Sequence, residues 1–252
     1  MSRHFVDFIP IMGGEIVVTG AELKHMNVLR LSKGAMVTLI DGRGNCCQAL
    51  IKKIDFHKAV LKADPPGKDR TESFVKIHLI FAWTKSVKPE LVVQKTTELG
   101  VFRLIPYSAS RSIAKPGGQK TERLQKVAIE AAKQCGRSLI PQVISCNDLQ
   151  QALALIPDGA PIFFLDETEK SKLFSHALLE VEKADEVVLV IGPEGGMEDH
   201  EREILASRAV SVSLGPRILR AETASIAALT TVQTVLGDMG RPRAEHGISK
   251  KE

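Results

Sequence analysis

The sequence lacks the features that would indicate a membrane or secreted protein. No apolar run approaches the roughly 18 to 20 residues needed to cross a bilayer, and the opening MSRHFVDFIP has no apolar core of a secretory signal. Of four cysteines, Cys46 and Cys47 are adjacent, Cys135 and Cys146 lie far away, and no C-x-x-C pair exists for zinc or redox chemistry. We therefore expect a reduced, cytoplasmic compartment, with no metal and no membrane partner.

The net charge is only +4, but its distribution is uneven. Residues 73–142 contain 12 Lys or Arg against 4 Asp or Glu, whereas residues 143–252 contain 11 against 18. A basic middle segment favours a polyanionic partner such as nucleic acid. A solvated lysine-rich face has the same pattern, so charge alone leaves both interpretations open.

The rhythm of the sequence changes near residue 73. Before it, short strand-like segments such as EIVVTG and MVTLID are separated by turn formers, which is typical of a small β-barrel. After it, continuous apolar runs such as PIFFLD and VVLVIG alternate with helical patterns, which indicates buried parallel strands in an α/β domain. We therefore predict a barrel domain at 1–72 and an α/β domain at 73–252, whose polar tail begins at about 241.

The clearest helical pattern is TERLQKVAIEAAKQCGR. Its apolar residues recur on one face with helical spacing. Thr121 is a suitable N-cap and Gly136 a suitable C-terminal stop. We predict a helix between these two residues.

Two Gly-Pro loops, IGPEGG and LGPRILRAETA, each follow a strand-like run. Neither matches a nucleotide-binding fingerprint. The helix after the first loop begins with Glu198, Asp199 and Glu201, which would repel a phosphate at that helix N-terminus. Glycines instead let backbone groups approach a flat heterocycle. The loops therefore predict a neutral or positively charged ligand.

Arg220 and Glu222 stand at the start of the helix after the second loop. An Arg-Glu couple in such a place often only pairs and caps the helix. Its position directly after the glycine loop favours a chemical role instead.

The two loops together resemble the C-terminal signature of the SPOUT methyltransferases. More narrowly, the chain resembles the RsmE family, through HMNVLRL, LVVQKTTELGV, SIAK, AAKQCGRSLIPQ and both loops, in order from end to end. The resemblance implies a PUA-like β-barrel that helps to bind RNA, followed by an α/β domain with a deep trefoil knot. It also implies S-adenosylmethionine as cofactor, 16S ribosomal RNA or the small ribosomal subunit as substrate, and a homodimer formed through the knotted domain.

The resemblance further places the cofactor among three loops at strand ends. The residues expected to bind it are Leu165, Gly192, Pro193, Glu194, Gly195, Gly196, Leu214, Gly215, Ile218, Leu219, Arg220, Thr223 and Ala224. Side chains introduced at Gly195 or Gly196 are expected to do most damage, by filling the pocket.

The implied reaction is methylation of uridine N3, an atom that must lose its proton before it can attack. Arg220 is the candidate that stabilises the resulting anion. Glu222 is expected either to accept the proton or to orient Arg220.

A separate set of basic side chains lies in or beside the family-like segments and is expected to contact RNA phosphates. The set is Arg30, Lys85, Lys95, Arg111, Lys133 and Arg137. His25 has two interpretations, an RNA contact or a structural histidine on an apolar face.

Two rival functions remain. The first is a related knotted enzyme that methylates a ribose 2′-hydroxyl or a guanine in ribosomal or transfer RNA. The second is a non-catalytic ribosome-binding factor with the same fold. The N-terminal barrel and AAKQCGRS favour the uridine-N3 enzyme over the first, and intact LRAETA argues against the second.

Overall fold

The structure, a computed structural model, describes residues 2–68, 71–83, 88–110, 118–181 and 183–240. The predicted RNA contacts Lys85 and Arg111, and the predicted polar tail, lie outside the described residues. The chain forms two compact units. The first consists of residues 1–72 together with 125–142, and the second of residues 73–124 and 143–252.

The first unit is built on a six-stranded sheet. Its strands are β1 (Arg3–Phe5), β2 (Gly14–Val18), β3 (Met36–Ile40), β4 (Asn45–Ile54), β5 (Ala59–Ala63) and β6 (Gly67–Lys68), and its helix α1 is Gly20–Val28. The strand order is β1-β3-β4-β5-β2, and β6 pairs with β4. Val37, Leu39, Ile51 and Leu61 are fully buried on one side of this sheet, because apolar and polar residues alternate along the strands.

The second unit is an α/β sheet whose assigned pairings are parallel. Its strands are β7 (Lys76–Ala82), β8 (Arg103–Tyr107), β9 (Gln142–Val143), β10 (Ile162–Leu165), β11 (Glu186–Ile191) and β12 (Val210–Val212), in the order β12-β10-β11-β7-β8-β9. The interior of β11 is fully buried, as expected for a strand covered on both faces.

The helices connect these strands. They are α2 (Pro89–Glu98), α3 (Gly118–Cys135), α4 (Leu149–Ala154), α5 (Phe174–Leu179), α6 (Asp199–Ala206) and α7 (Ala221–Val235). Helix α7 packs against α2 and α5. The helices of the described residues are all too short or too polar to span a bilayer.

Two details of α3 differ from the prediction. The helix begins at Gly118, so the prediction that Thr121 is its N-cap was wrong; Thr121 lies inside the first turn and its hydroxyl contacts Ser145 Oγ at 2.6 Å. The predicted stop was confirmed, since Gly136 follows the helix with φ +77°. Residues 125–142, predicted to belong to the second domain, pack with the first 72 residues.

The fold class is therefore mixed α/β, with strands preceding an α/β unit as predicted. The strands missed by the sequence reading are β6 and β9, each only two residues long. Two-residue strands carry no periodicity that a pattern could detect.

Candidate cofactor site

Three loops meet at one edge of the second sheet. They follow β10, β11 and β12, which are neighbours in the order β12-β10-β11 and run parallel. The carboxyl ends of parallel neighbours share one edge, and β11 lies between β7 and β10, where the strand order changes direction. Ligands of open α/β sheets bind at such a switch point.

A cavity of about 370 Å³ opens between these loops. Its lining consists of residues that follow the three strands, together with the first turn of α7. The residues are Leu165, Asp166, Glu167, Ile191, Gly192, Pro193, Glu194, Ser213, Leu214, Gly215, Arg217, Ile218, Leu219, Arg220, Ala221 and Ala224. The volume lies within the usual range for small-molecule sites, about 300–1,000 Å³.

A buried methionine, Met197, anchors the loop after β11 to the core. Met197 is 4% exposed, and the hydroxyl of the buried Tyr107 donates to its sulfur at 3.4 Å. Burial also raises the pKa of Tyr107 far above its usual range, so this hydroxyl keeps its proton. The anchor therefore stays in place at any pH the fold tolerates.

The same loop is fixed at its other end by the capping box of α6. The carboxylate of Glu201, only 2% exposed, accepts from the backbone N–H of Glu198 at 3.1 Å and from that of Ser110 at 3.2 Å. One buried carboxylate thus ties the glycine loop to the segment after β8. Glu198 and Glu201, which argued against a phosphate at this position, form the capping box of α6.

The loop after β10 turns around a buried carboxylate. Asp166 is 7% exposed and accepts from Thr168 through the backbone N–H (2.9 Å) and the hydroxyl (2.8 Å). Its other oxygen accepts from Arg202 at 3.0 Å. These bonds preorganise the cavity wall formed by Asp166.

The loop after β12 passes beside the segment before α5. The backbone N–H of Ser213 donates to Lys172 O at 2.8 Å, and that of Phe174 donates to Ser213 O at 2.9 Å. Gly215, with φ +112°, then turns the chain toward α7 in a conformation that L side chains rarely adopt. Arg220 is the residue before α7, and its exposed side chain stands at the cavity wall.

The structure brings most of the predicted cofactor residues together. Those that line the cavity are Leu165, Gly192, Pro193, Glu194, Leu214, Gly215, Ile218, Leu219, Arg220 and Ala224. Gly195, Gly196 and Thr223 do not line it. The expectation that side chains at Gly195 or Gly196 would fill the pocket stays a prediction. At Gly196 an added Cβ would lie 3.7 Å from Oε1 of the cavity residue Glu167, and its φ of +76° would strain the backbone of any substitute.

Several lining residues were missed by the sequence reading. The charged ones are Asp166, Glu167 and Arg217. Asp166 carried a detectable signal, because PIFFLD ends a buried strand on a carboxylate at the edge where ligands bind. Arg217 was not among the predicted residues, although it lies within the loop 214–219 that the resemblance placed at the cofactor. Glu167 lies in loop sequence and gave no signal.

Glu222 occupies the first turn of α7, where it is 9% exposed. Its Oε2 is buried and has no hydrogen-bond partner among the residues that the structure describes. Within the same residues Glu222 and Arg220 form no ion pair, and the Arg220 side chain does not cap the helix. No contact among the described residues therefore supports the interpretation that Arg220 and Glu222 only pair with each other and cap the helix.

The small residues of α7 are packed inside the chain. Ala224 and Ala228 are 8% and 0% exposed, and the helix lies against α2 and α5. The small residues on this face of α7 are thus used for intramolecular helix packing. It does not by itself indicate a subunit interface.

Four of the predicted RNA contacts have charged partners in their own unit. Lys133 Nζ lies 2.7 Å from Glu22, and His25 Nδ1 lies 3.9 Å from the same carboxylate. Arg137 is 5% exposed and bound to Glu72, so a phosphate would have to displace that carboxylate. Lys95 pairs with Glu98 in α2 at 3.0 Å.

Arg30 is exposed and adopts φ 54°, after α1. His25 belongs to a group with Glu22 and the buried His4, whose potential ligand atoms lie within 4.8 Å of one another. Lys133 already contacts Oε1 of Glu22, which favours a structural ion-pair network at this place. Among the described residues, Arg30 remains the predicted phosphate contact with the most accessible position.

The cavity composition fits a ligand with a flat apolar part and charged groups. Leu165, Ile191 and Leu214 supply apolar surface, while glycines expose backbone groups. Three carboxylates and two guanidiniums line the cavity, and one of the carboxylates, Asp166, is already paired with Arg202. S-adenosylmethionine, with its adenine ring and sulfonium, has these properties.

Comparison with known proteins places both units in one class. An RNA methyltransferase domain model matches residues 71–233, and an RNA methyltransferase PUA domain model matches residues 18–64. Ribosomal RNA small subunit methyltransferase E of Bacillus subtilis is 30% identical over 245 residues, covering 92% of this chain and 96% of the relative. The enzyme of the same name from Synechocystis is 30% identical, over 90% and 75% of the two chains.

Among solved structures, ribosomal RNA small subunit methyltransferase E of Neisseria gonorrhoeae bound to S-adenosyl methionine is similar. It is 28% identical with a TM-score of 0.78, covering 94% of this chain and 99% of that one. The chain therefore belongs to the RNA methyltransferase family of the ribosomal RNA small subunit methyltransferase E type, as the sequence resemblance predicted.

Proposed function

We propose that this protein transfers a methyl group from S-adenosylmethionine to N3 of a uridine in 16S ribosomal RNA, in the cytoplasm. The observation that carries the proposal is the cavity at the carboxyl ends of β10, β11 and β12, with Arg220 in its wall. The relatives named above and the S-adenosyl methionine-bound structure support the cofactor and the ribosomal substrate.

The cavity residues would hold the cofactor through two kinds of contact. Leu165, Ile191 and Leu214 offer apolar surface to the adenine ring, and Gly192 and Gly215 leave backbone groups accessible beside it. Glu167 and Glu194 are carboxylates at the same cavity, suited to a cationic ligand. When bound, S-adenosylmethionine supplies an electrophilic methyl group on a positively charged sulfur.

Arg220 would stabilise the substrate anion. Uracil N3 carries a proton and becomes a nucleophile when that proton leaves, with the negative charge spread to O2 and O4. A guanidinium placed at the cavity wall donates hydrogen bonds to such an oxygen. Arg220 is exposed and free of ion pairs among the described residues, so its donors are available.

Glu222 would accept the N3 proton. Its Oε2 has no hydrogen-bond partner in the described part of the chain, and the neighbouring Ala221 lines the cavity. The alternative role, orienting Arg220, would need a contact between the two side chains, and none is formed among the described residues. The missing contact supports the acceptor role.

The test is nucleoside mass spectrometry of 16S ribosomal RNA and of small subunits that lack the mark, after reaction with methyl-labelled cofactor. We expect labelled 3-methyluridine from the wild-type protein and a loss of about 10²–10³-fold in kcat for Arg220→Ala. Arg208→Ala is the matched control, because Arg208 is an exposed arginine of the same unit that does not line the cavity. It should retain most of the activity.

Other products would change the assignment. Label in a ribose-methylated nucleoside or in guanine would move the protein to a related knotted enzyme. Cofactor binding without transfer to either RNA form would support the non-catalytic ribosome-binding factor.

We also propose that the second unit contains the deep trefoil knot. Three observations support it: β11 lies between β7 and β10, β12 pairs with β10, and the chain at Ser213 passes beside Lys172 and Phe174. An experimental electron-density map traced through residues 160–221 would test it. A chain that does not thread the loop before α5 would contradict it.

The homodimer expected from the resemblance remains a proposal. Light scattering of the purified protein should give twice the chain mass of 27.5 kDa. A mass of one chain at micromolar concentration would contradict it.

A further inference from the structure

The β4–β5 hairpin carries an unusually exposed aromatic ring at its tip. Phe56 is 91% exposed, more than any other large hydrophobic residue among the described ones. A single exposed apolar side chain is ordinary on a protein surface. The turn that carries Phe56 and the lysines near it in sequence indicate a binding role.

The turn that presents the ring is rigid. Asp55 Oδ1 accepts from the backbone N–H of His57 at 2.8 Å and of Lys58 at 3.0 Å, and Asp55 N–H donates to Lys58 O at 3.0 Å. The two backbone donors lower the pKa of Asp55, so the carboxylate remains charged and bonded at neutral pH. An aromatic ring on a preformed turn loses little freedom when it binds.

The strand leading to the turn presents two consecutive lysines to solvent. The register between β4 and β5 shifts between Ile51 and Lys53, which marks a β-bulge. In a regular strand one of Lys52 and Lys53 would point toward the core, but here both are exposed. The bulge therefore concentrates positive charge on one side of the hairpin.

The hairpin as a whole is strongly basic. Residues 52–62 contain Lys52, Lys53, Lys58 and Lys62 against Asp55 alone, a balance of +3. All four lysines are exposed. Lys53 is 3.7 Å from Asp55 and 69% exposed, so its ammonium can reach an external anion.

We propose that this hairpin is an RNA contact in which Phe56 stacks on an unpaired base while Lys52, Lys53 and Lys58 contact the flanking phosphates. The proposal rests on the proposed function and specifies where the first unit meets its RNA substrate. Stacking platforms edged by cations are the general chemistry of single-strand recognition. The hairpin lies within residues 18–64, which match the RNA methyltransferase PUA domain model.

Charge complementarity selects RNA over other occupants. Lys52, Lys53 and Lys58, on the hairpin that carries the ring, suit a polyanion with accessible bases. An anionic lipid surface would also attract the lysines, so the experiment includes binding to phosphatidylserine vesicles.

The experiment measures the affinity of the full-length protein for a fluorescent, single-stranded, uridine-rich RNA of about 10 nucleotides. Phe56→Ala should raise the Kd about tenfold, and Phe56→Trp should restore it. Phe74→Ala is the matched control, because Phe74 is 71% exposed but belongs to the second unit. Its Kd should stay within about twofold of wild type.

Salt dependence separates the two kinds of contact. Lys52→Ala combined with Lys53→Ala should reduce the slope of log Kd against log salt by about 1.4, since each phosphate contact on a single strand contributes about 0.7. Phe56→Ala should leave that slope unchanged, because stacking releases no counterion. In methylation assays on small subunits, Phe56→Ala should raise KM and leave kcat nearly unaltered.

An unchanged Kd for Phe56→Ala, or an equal loss for Phe74→Ala, would overturn the proposal. Binding to phosphatidylserine vesicles that requires Phe56, with RNA binding intact, would overturn it in favour of a lipid surface. A wild-type protein that methylates no ribosomal RNA would refute the proposed function, while the Kd series would still decide the role of the hairpin.

Discussion

Glu72 holds Arg137 and the chain around it with both carboxylate oxygens. Oε2 accepts from Arg137 Nε at 3.1 Å and from Nη2 at 2.8 Å, while Oε1 accepts from the backbone N–H groups of Ser138 and Leu139, both at 2.9 Å. The last residue of the first chain segment therefore binds the end of α3. This carboxylate is a main reason why residues 125–142 belong to the first unit.

Replacing Glu72 should destabilise the first unit. Glu72→Ala removes the carboxylate from an arginine that is only 5% exposed and from two backbone donors. We expect a loss of about 3 kcal/mol in the free energy of unfolding, measured with urea. Glu15→Ala, at an exposed glutamate of β2, is the control and should cost less than about 0.5 kcal/mol. Equal effects of both substitutions would show that the Glu72 network contributes little.

Glu22 should make stability depend on acid. Burial alone would raise the pKa of Glu22, but His4, whose Nδ1 lies 3.5 Å from Oε2, and the hydrogen bond from Lys133 lower it, to about 2. Because the folded pKa lies below the ordinary value of 4.5, this stabilisation is complete above about pH 4.5 and is lost as pH falls toward 2.

The matched variant is Glu22→Gln, which cannot lose a proton. The difference in unfolding free energy between wild type and Glu22→Gln should shrink by about 1 kcal/mol between about pH 6 and pH 3.5. Urea denaturation at each pH measures it. A difference that is constant across this range would show that the carboxylate has an ordinary pKa in the folded protein.

A larger side chain at Ala224 should block the cofactor cavity. Ala224 is 8% exposed and lines the cavity, so Ala224→Leu places three further carbons into or against the cofactor space. We expect the Kd for S-adenosylmethionine to rise by about 10-fold or more in calorimetric titration. Thr223→Leu, at an exposed neighbour that does not line the cavity, should bind the cofactor normally. The sequence prediction that Thr223 contacts the cofactor would gain support from the opposite result.

Replacing Glu222 should lower activity without lowering stability. Its buried Oε2 lacks a partner among the described residues, and an unpaired buried carboxylate oxygen is unfavourable. Glu222→Gln should therefore leave Tm unchanged or raise it, while kcat falls about 10²–10⁴-fold and cofactor affinity is retained. A lower Tm with normal kcat would identify Glu222 as a structural residue of α7.

The sequence predicted the main strands well because burial leaves a direct trace in it. Continuous apolar runs became β7, β10 and β11. The resemblance to the RsmE family, and not the burial pattern, assigned the loops after β10, β11 and β12 to the cofactor. The position of α3 was less predictable. Its apolar face shows that it packs, but periodicity does not specify which sheet it packs on.

The cavity shows the same limit. Leu165 and Gly192 follow recognisable strands, whereas Arg217 and Glu167 reach the cavity through loop conformations that local sequence does not encode. The sequence also did not predict the partners of Lys133 and Arg137, because Glu22 and Glu72 lie 111 and 65 residues away along the chain. Long-range ion pairs of this kind convert apparent phosphate contacts into internal ones.

The two-segment composition of the first unit has a consequence for synthesis on the ribosome. Its first 72 residues lack part of their packing until residues 125–142 have been translated. At about 5–20 residues per second, the 70 residues from 73 to 142 take roughly 4 to 14 seconds to add. During that interval the nascent chain exposes the surface that the end of α3 later covers. The first unit is thus completed only after more than half of the polypeptide has been made.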